Sequence, residues 1–574
     1  MKHLRTITCY PEVTVVRANR IILIFFFFSV WSPSAESSGV LRVLSEELTR
    51  NFSALKEKAD PPPYFLAYSV TDQDFAVVSA SFGAITSSNR SRSAGLDVSV
   101  RVGSPKLDNY HRVRGDRGQF TTGTAVVIED NPLALKRRLW MDTDRTYRLA
   151  AERLIKIRTN SEVKVKEEDQ SDDFSEAPAA VFSEAPPKLK FDASQWSARV
   201  RKLSAVFAKY PGVLTSNVSV VAQLETKYLV STEGTRLQHG RGFARVIVSA
   251  VARADDGMDL GTSETFEAVD PRDLPKDEVI LASIERIAKD LTGLLKAPVV
   301  DPFMGPAILS GRAAGVFFHE IFGHRVEGHR QKDETEGQTF TKSVNAPVLP
   351  EFLSVIFDPT KRKVGGIDLN GWYRYDDEGV AARPVSVVEN GILKTFLMSR
   401  SPIQGFPFSN GHGRRQSGLE VVSRQSNLLV ESSRRVTSAK LREMLIAEIK
   451  RQNKPYGLYF ENITGGYTTT GRQGIQAFKV IPLVVYRVFP DGRPDELVRG
   501  ADIVGTPLSS FAKILATSDR QEVFNGYCGA ESGSVPVSAV SPALLISEIE
   551  IEKKQKSQDR PPLLAPPATA GAGL

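Results

Sequence analysis

The sequence predicts an α+β protein, and three observations predict it. Period-two runs alternate with helical stretches through the first half, a glycine-rich and strand-rich text fills the second half, and one short segment there concentrates histidine and glutamate. At 574 residues the chain is long enough for two core-forming domains with linkers and tails. Hydrophobic residues at 41% and charged residues at 25% exclude a disordered or fibrous chain.

The first 35 residues read as a secretory signal peptide: Lys2, Arg5, Arg17 and Arg20 precede an apolar run at 21–31, followed by the small residues Ser32, Ser34 and Ala35. The run is short for a bilayer, and no later stretch approaches the roughly 20 apolar residues of a spanning helix. Export to a periplasmic or extracellular space is the expectation if the leader is cleaved, with no transmembrane span in the mature chain. An uncleaved anchor and a cytoplasmic chain are the alternatives. The formal charge of +7 includes those four basic residues and Glu12, so the remainder carries about +4, too little to call for nucleic acid. Cys9 lies in the leader, which leaves Cys528 alone and excludes an intramolecular disulfide. A free thiolate is oxidisable and a good soft-metal ligand.

An N-terminal domain is expected over 40–298. Asp97, Ser99 and Arg101 interleave with Val98, Val100 and Val102, the pattern of a half-buried strand, and 147–157 reads as helix. Residues 163–190 turn acidic and proline-bearing, with a duplication in which 174–178 recurs as 182–186, and read as a solvated linker or surface insertion. A helix is expected from Ala193 to Tyr210, then strands at 214–224, 227–231 and 244–253. After Pro275, the residues Ile280, Ile284, Ile287, Leu291 and Leu295 form a helical stripe that reads as core.

A second domain is expected over 299–552 and a disordered tail over 553–574. Asn390-Gly391 between the runs 384–388 and 392–398 signals a hairpin. The run 478–488 offers a candidate edge for an extended peptide, or ordinary core. Arg414 and Arg415 fit either a substrate carboxylate or a surface ion pair.

The chemistry concentrates in Gly315-Val-Phe-Phe-His-Glu-Ile-Phe-Gly-His-Arg-Val-Glu-Gly-His329. Imidazoles ligate zinc, and a carboxylate beside the first ligand can act as general base toward water at the metal. In the usual zinc-peptidase helix two histidines stand four residues apart on one face, whereas His319 and His324 are five apart. At roughly 100° per residue they would diverge by about 140° around an ideal helix. A distortion is therefore required, and Gly323 is where it costs least. A catalytic zinc takes three protein ligands. His329 is the nearest further histidine, Glu327 fits a partner of a ligand, and Cys528, among glycines, is the stronger third candidate. The same residues also fit a core-edge histidine beside Phe317 and Phe318 and an inert buried thiol.

With these motifs stand Asp376-Asp377-Glu378-Gly379, Glu389-Asn-Gly-Ile-Leu-Lys394, Asn410-Gly-His-Gly-Arg-Arg415, Thr464-Gly-Gly466, Cys528-Gly529 and Ser534-Val-Pro-Val537. In this order the chain resembles the TldD/PmbA family, named for modulation of DNA gyrase, and its TldD-like metallopeptidase branch. The resemblance covers most of the chain after the leader and is densest over 311–542. It implies an N-terminal α/β domain with a mixed sheet and a strand-rich C-terminal domain carrying the metal-site helix. It implies one Zn2+ held by His319, His324 and Cys528, with Glu320 as catalytic glutamate. It further implies hydrolysis of unfolded or modified peptides in a chamber formed by dimerisation, as a homodimer or with a PmbA-like subunit. The leader and the acidic insertion depart from the family pattern. A non-catalytic peptide- or partner-binding subunit with structural zinc is the rival reading, and no DNA-binding motif supports direct nucleic-acid contact.

Overall fold

The computed structural model describes residues 39–113, 116–128, 131–161, 169–472, 477–505 and 510–554, with 562 and 564. The expected leader, and the expected tail from 555 apart from those two positions, lie outside the described residues. Among the described residues no helix is long and apolar enough to cross a membrane. The architecture is α+β, built on two large sheets.

β-Branched and alternating runs build the first, eight-stranded sheet. Its centre is the strand Pro63–Ser81, antiparallel to Ala84–Ser104 on one side and to Thr215–Ser231 on the other. Thr215–Ser231 continues antiparallel into Arg236–Arg253, and that strand into Asp259–Ala268. Residues 214–224 and 227–231 thus belong to one continuous strand. The short strand Val181–Ser183 adds in parallel at 236–238, which makes the sheet mixed.

The long strands carry two cores along their length. One packs Leu44, Leu48, Leu135 and Leu154 from the helices Gly39–Lys58 and Pro132–Ser161 onto Leu66, Val70, Val98 and Val100. The other packs the helices Ala193–Ser204 and Asp277–Lys296 onto Val218, Val220, Val246 and Val248. The expected stripe Ile280, Ile284, Ile287 and Leu291 is wholly buried there, while Leu295 is partly buried at its border.

Part of the opposite, polar face of this sheet is buried against the second half of the chain. Asp97 is 1% exposed and accepts from the Gly418 N–H at 2.9 Å, Lys227 Nζ reaches Asp377 at 2.5 Å, and Arg241 donates to Asn370 at 2.7 Å. The half-buried alternation at 97–102 therefore hides a second interface, polar because it binds the other half of the chain.

One expectation is corrected in part. Of the acidic segment expected over 163–190, residues 163–168 lie outside the described residues, 173–175 are buried rather than solvated, and much of 176–190 is exposed. The ring of Phe174 lies between the guanidiniums of Arg101 and Arg400, at 3.8 and 4.0 Å, and edge-on to Phe65. Asp173 accepts from His111 Nδ1 at 2.8 Å, and Arg400 Nη2 donates to the Ser175 carbonyl at 2.6 Å. Asp173, the buried acid of the segment, also accepts from the Asp108 N–H at 3.0 Å and lies 3.7 Å from Lys332 Nζ.

The second sheet has twelve strands, and five of them close a ring. Phe303–Leu309 pairs with Gly457–Thr468 and also with Gly533–Lys553, and Phe478–Val488 and Ala501–Gly505 complete the circuit. The helix Gly311–Ile321 packs against these strands, and only Arg312 in it is not buried. A helix apolar nearly all round belongs in a core, and Phe317, Phe318 and the following Phe322 supply it. Its start is fixed by Ser310, whose Oγ accepts from the Ala313 N–H at 3.2 Å. The hairpin at 390–391 is present: Val385–Glu389 pairs with Ile392–Leu393 through Asn390 and Gly391 at φ 47° and 80°. Its second strand is shorter than the run 392–398.

A candidate metal centre with a flanking carboxylate

The five-residue spacing is met by ending the α-helix early. Gly311–Ile321 carries His319 and Glu320 on its last turn, and Gly323–Val326 continues as a 3-10 turn carrying His324. Gly323 marks a close approach of a side chain rather than a left-handed backbone. A β-carbon there would fall 1.9 Å from Gln425 Oε1, and Gln425 Nε2 donates to the His319 carbonyl at 3.2 Å. The tighter turn swings the two imidazoles into an edge-to-face pair with centroids 5.1 Å apart.

Cys528 comes from the strand Ile514–Ala530, whose antiparallel partner places Val535 opposite it. Its Sγ lies 3.2 Å from His319 Nε2 and 3.3 Å from His324 Nε2. His319, His324 and Cys528 are buried, and their ligand atoms all lie within 4.8 Å of one another. Zn–N near 2.0 Å and Zn–S near 2.3 Å in a tetrahedron would separate nitrogen and sulfur by roughly 3.5 Å, so the donor set and spacing fit zinc. Burial disfavours the thiolate, yet the facing His324 and His319 hold the Cys528 thiol well below its ordinary range.

Glu320 projects beside the cluster, with an oxygen 3.9 Å from His324 Nε2. Burial raises its carboxyl above the usual carboxylate range. It opens on a cleft of about 320 Å3 between the two sheets, lined also by Ser263 and Thr265 from the first sheet and by Gly465, Gly466 and Asn525 from the second.

A buried charge chain braces the cluster. Glu327 Oε2 faces His324 Nδ1 at 3.2 Å and accepts from Arg330 Nε at 2.9 Å, while Glu327 Oε1 lies 3.4 Å from Arg424 Nε. Arg424 in turn donates to the Cys528 carbonyl at 2.5 Å and to the Gly533 carbonyl at 2.9 Å, clamping the hairpin that carries the thiol. Burial opposes charge on Glu327, but His324 and Arg330 hold its carboxyl well below the usual range. An acceptor on Nδ1 leaves Nε2 of His324 free to face the cluster.

His329, the nearest further histidine in sequence, is not brought to the cluster. Its Nε2 is tied to Glu531, and burial lowers its pKa to about 4. Arg414 and Arg415 are not surface ion pairs: Arg414 is 5% exposed, and the Arg415 side chain is buried 3.7 Å from Asp97. The run Phe478–Val488 is paired along one side and at both ends of the other, so the open edge near Glu320 belongs instead to Gly457–Thr468 beyond Phe460. Arg424, Gln425 and Gly466 were not visible as site residues in sequence, since each acts across the fold on a motif remote along the chain.

Residues 304–553 match the model of the PmbA/TldA metallopeptidase C-terminal domain. A metalloprotease of Methanocaldococcus jannaschii is 26% identical over 343 residues, which cover 58% of this chain and 67% of that protein. A zinc metalloprotease TldD homologue of Saccharolobus solfataricus is 26% identical over 357 residues, 61% of this chain and 73% of that one. The crystal structure of TldE from Thermococcus kodakarensis shares the fold, with a TM-score of 0.60 at 15% identity, covering 89% of this chain and all of that chain.

Proposed function

We propose that this relative of the TldD/PmbA proteins is a zinc-dependent metallopeptidase that hydrolyses unfolded or modified peptides. The observation that carries the reading is the convergence of His319, His324 and Cys528 next to a buried carboxylate that opens on a cleft. His319 and His324 would hold zinc through Nε2 and Cys528 through Sγ. When bound there, the ion supplies Lewis acidity, which acidifies water and polarises a carbonyl. Glu320 takes a proton from the attacking water and delivers it to the leaving amine. The open edge at 463–466 supports binding of an extended peptide through its main chain, which gives affinity without strong sequence preference.

Two further parts of the proposal concern context. Restricted access through a homodimer, or a heterodimer with a PmbA-like subunit, would spare folded proteins. Mass measurement of the native assembly tests this, and a monomer active on peptides would remove the chamber. Export through the 1–35 leader is tested by the N-terminus of the chain recovered from cells.

The central test measures zinc content and cleavage of an unfolded peptide. Glu320→Gln is expected to retain zinc and lose at least about a hundredfold in rate, and undiminished cleavage would remove Glu320 from the mechanism. Cys528→Ala with full zinc would defeat the third ligand. Zinc without cleavage in the native chain would favour the non-catalytic rival.

A further inference from the structure

We propose that the pocket beyond Tyr527 is a subsite for a carboxylate of the bound peptide, received by the guanidiniums of Arg241 and Arg414. The inference rests on the peptidase reading and specifies the substrate class.

Position comes first. Tyr527 precedes Cys528 on the same strand and lines both the Glu320 cleft and this second pocket, a cavity of about 90 Å3. Successive strand residues point to opposite faces. Cys528 thus turns into the metal cluster, while the Tyr527 hydroxyl reaches across to Gln223 Oε1 at 3.2 Å. Tyr527 thus stands between the two cavities, and a peptide extended along this strand from the cleft would bring its next residues to the pocket, whose wall includes Trp372 and Tyr373.

Charge comes second. The acids that face the pocket are committed. Lys227 lies 2.5 Å from Asp377 and 3.5 Å from Glu225, and the second Asp377 oxygen accepts from the Arg415 N–H at 2.8 Å. Asp376 spends both oxygens on the backbone N–H groups of Glu378, Val380 and Gly413. Arg374 and Arg415 have acids of their own, Glu184 at 3.3 Å and Asp97 at 3.7 Å.

Arg241 and Arg414 do not. Arg414 donates to the Gln425 and Pro536 carbonyls at 2.6 and 2.8 Å and sits over the Tyr373 ring, and Arg241 donates to Asn370. Among the described residues no carboxylate lies within ion-pair distance of either; Glu225, the cross-strand neighbour of Arg241, and Asp377, which supports the charge on Arg414, act only at longer range. Two guanidiniums with no acid in direct contact favour a further anion between them, and their planar forks match a carboxylate. The carboxylate has two sources in a peptide, its C-terminus or an Asp or Glu side chain.

The test uses the full zinc-loaded chain carrying Glu320→Gln, so that binding is read without turnover. Three fluorescent peptides of equal length are compared by anisotropy: one with uncharged side chains and a free C-terminus, its C-terminal amide, and that amide with one Glu. A carboxylate on either source is expected to tighten binding at least tenfold over the neutral amide, and the better of the two names the source. Adding Arg241→Gln is expected to abolish the difference, and Arg241→Lys to restore part of it. Equal binding of the three peptides, or a preference that survives Arg241→Gln, overturns the subsite. Cleavage by the chain with Glu320 intact is scored separately. Discrimination without cleavage defeats the peptidase reading alone, and cleavage without discrimination defeats the subsite alone.

Discussion

Gly466 holds its α-carbon against the side chain of Glu320: a β-carbon built on it would stand 2.9 Å from Glu320 Cγ and 2.8 Å from the Lys479 carbonyl oxygen. A flexible side chain could yield, but the carbonyl belongs to the paired strand. Gly466→Ala must therefore shift either the strand or Glu320. Because misplacement of a reacting group by about 1 Å can cost a hundredfold in rate, peptide cleavage is expected to fall at least tenfold while zinc content stays at the native level. Full activity in the alanine variant would show that the glycine serves backbone pairing alone.

Glu327 is the hinge of the charge chain between the two histidine-bearing turns and the cysteine hairpin. Glu327→Gln keeps the shape but removes the charge facing His324, Arg330 and Arg424. Loss of such a partner typically costs about 10–100-fold in metal affinity. Titration with a competing chelator is expected to show that loss for Glu327→Gln and none for Glu320→Gln. Equal zinc affinity in both would mean that His324 is oriented by packing alone.

How much of this was legible in the sequence depends on the range of the physics involved. The helix Asp277–Lys296 and the hairpin at 390–391 follow from local periodicity and turn chemistry, and both were readable. The misfit of His319 and His324 on a regular helix was readable too, because it is a matter of angle per residue. Its resolution was only half readable. Gly323 marks the place, but its neighbour there is Gln425, about a hundred residues on, whose side-chain end a β-carbon would have to displace. Arg424 likewise gives no local signal, since its role is to join Glu327 to the Cys528 hairpin. Composition misled at 173–175, where acidic text reads as solvated although Phe174 is stacked between two arginines and Asp173 is buried against His111.

That segment yields a stability prediction. Phe174 is 5% exposed and stacked between Arg101 and Arg400, so Phe174→Ala removes an aromatic ring and leaves two guanidiniums facing a void. Replacing a buried Phe by Ala typically costs about 3–5 kcal/mol, and the expected loss in a denaturant titration is at the lower end, because water can reach the arginines. A loss within about 0.5 kcal/mol, the range of surface substitutions, would return the segment to the status of a linker.

A second stability prediction concerns pH. His412 is fully buried, with Nε2 3.1 Å from Ser426 Oγ and Nδ1 3.2 Å from Asn410 Oδ1, and burial lowers its pKa to about 3. Above the unfolded value of about 6.5 the ring is neutral in both states and contributes no pH dependence. Below it the unfolded chain takes up a proton that the folded chain refuses until near pH 3. Stability therefore falls as pH falls through that window, by about 1.4 kcal/mol per pH unit for this group. His239 and His329, each lowered to about 4 by burial, steepen the same slope. Between pH 7.5 and 4.5, His412→Gln is expected to lose about 2–3 kcal/mol less than the native chain. The comparison reads a slope, so it holds even if the variant is less stable at every pH. Identical slopes would show that His412 is protonated in the folded protein and that its buried cage carries the charge.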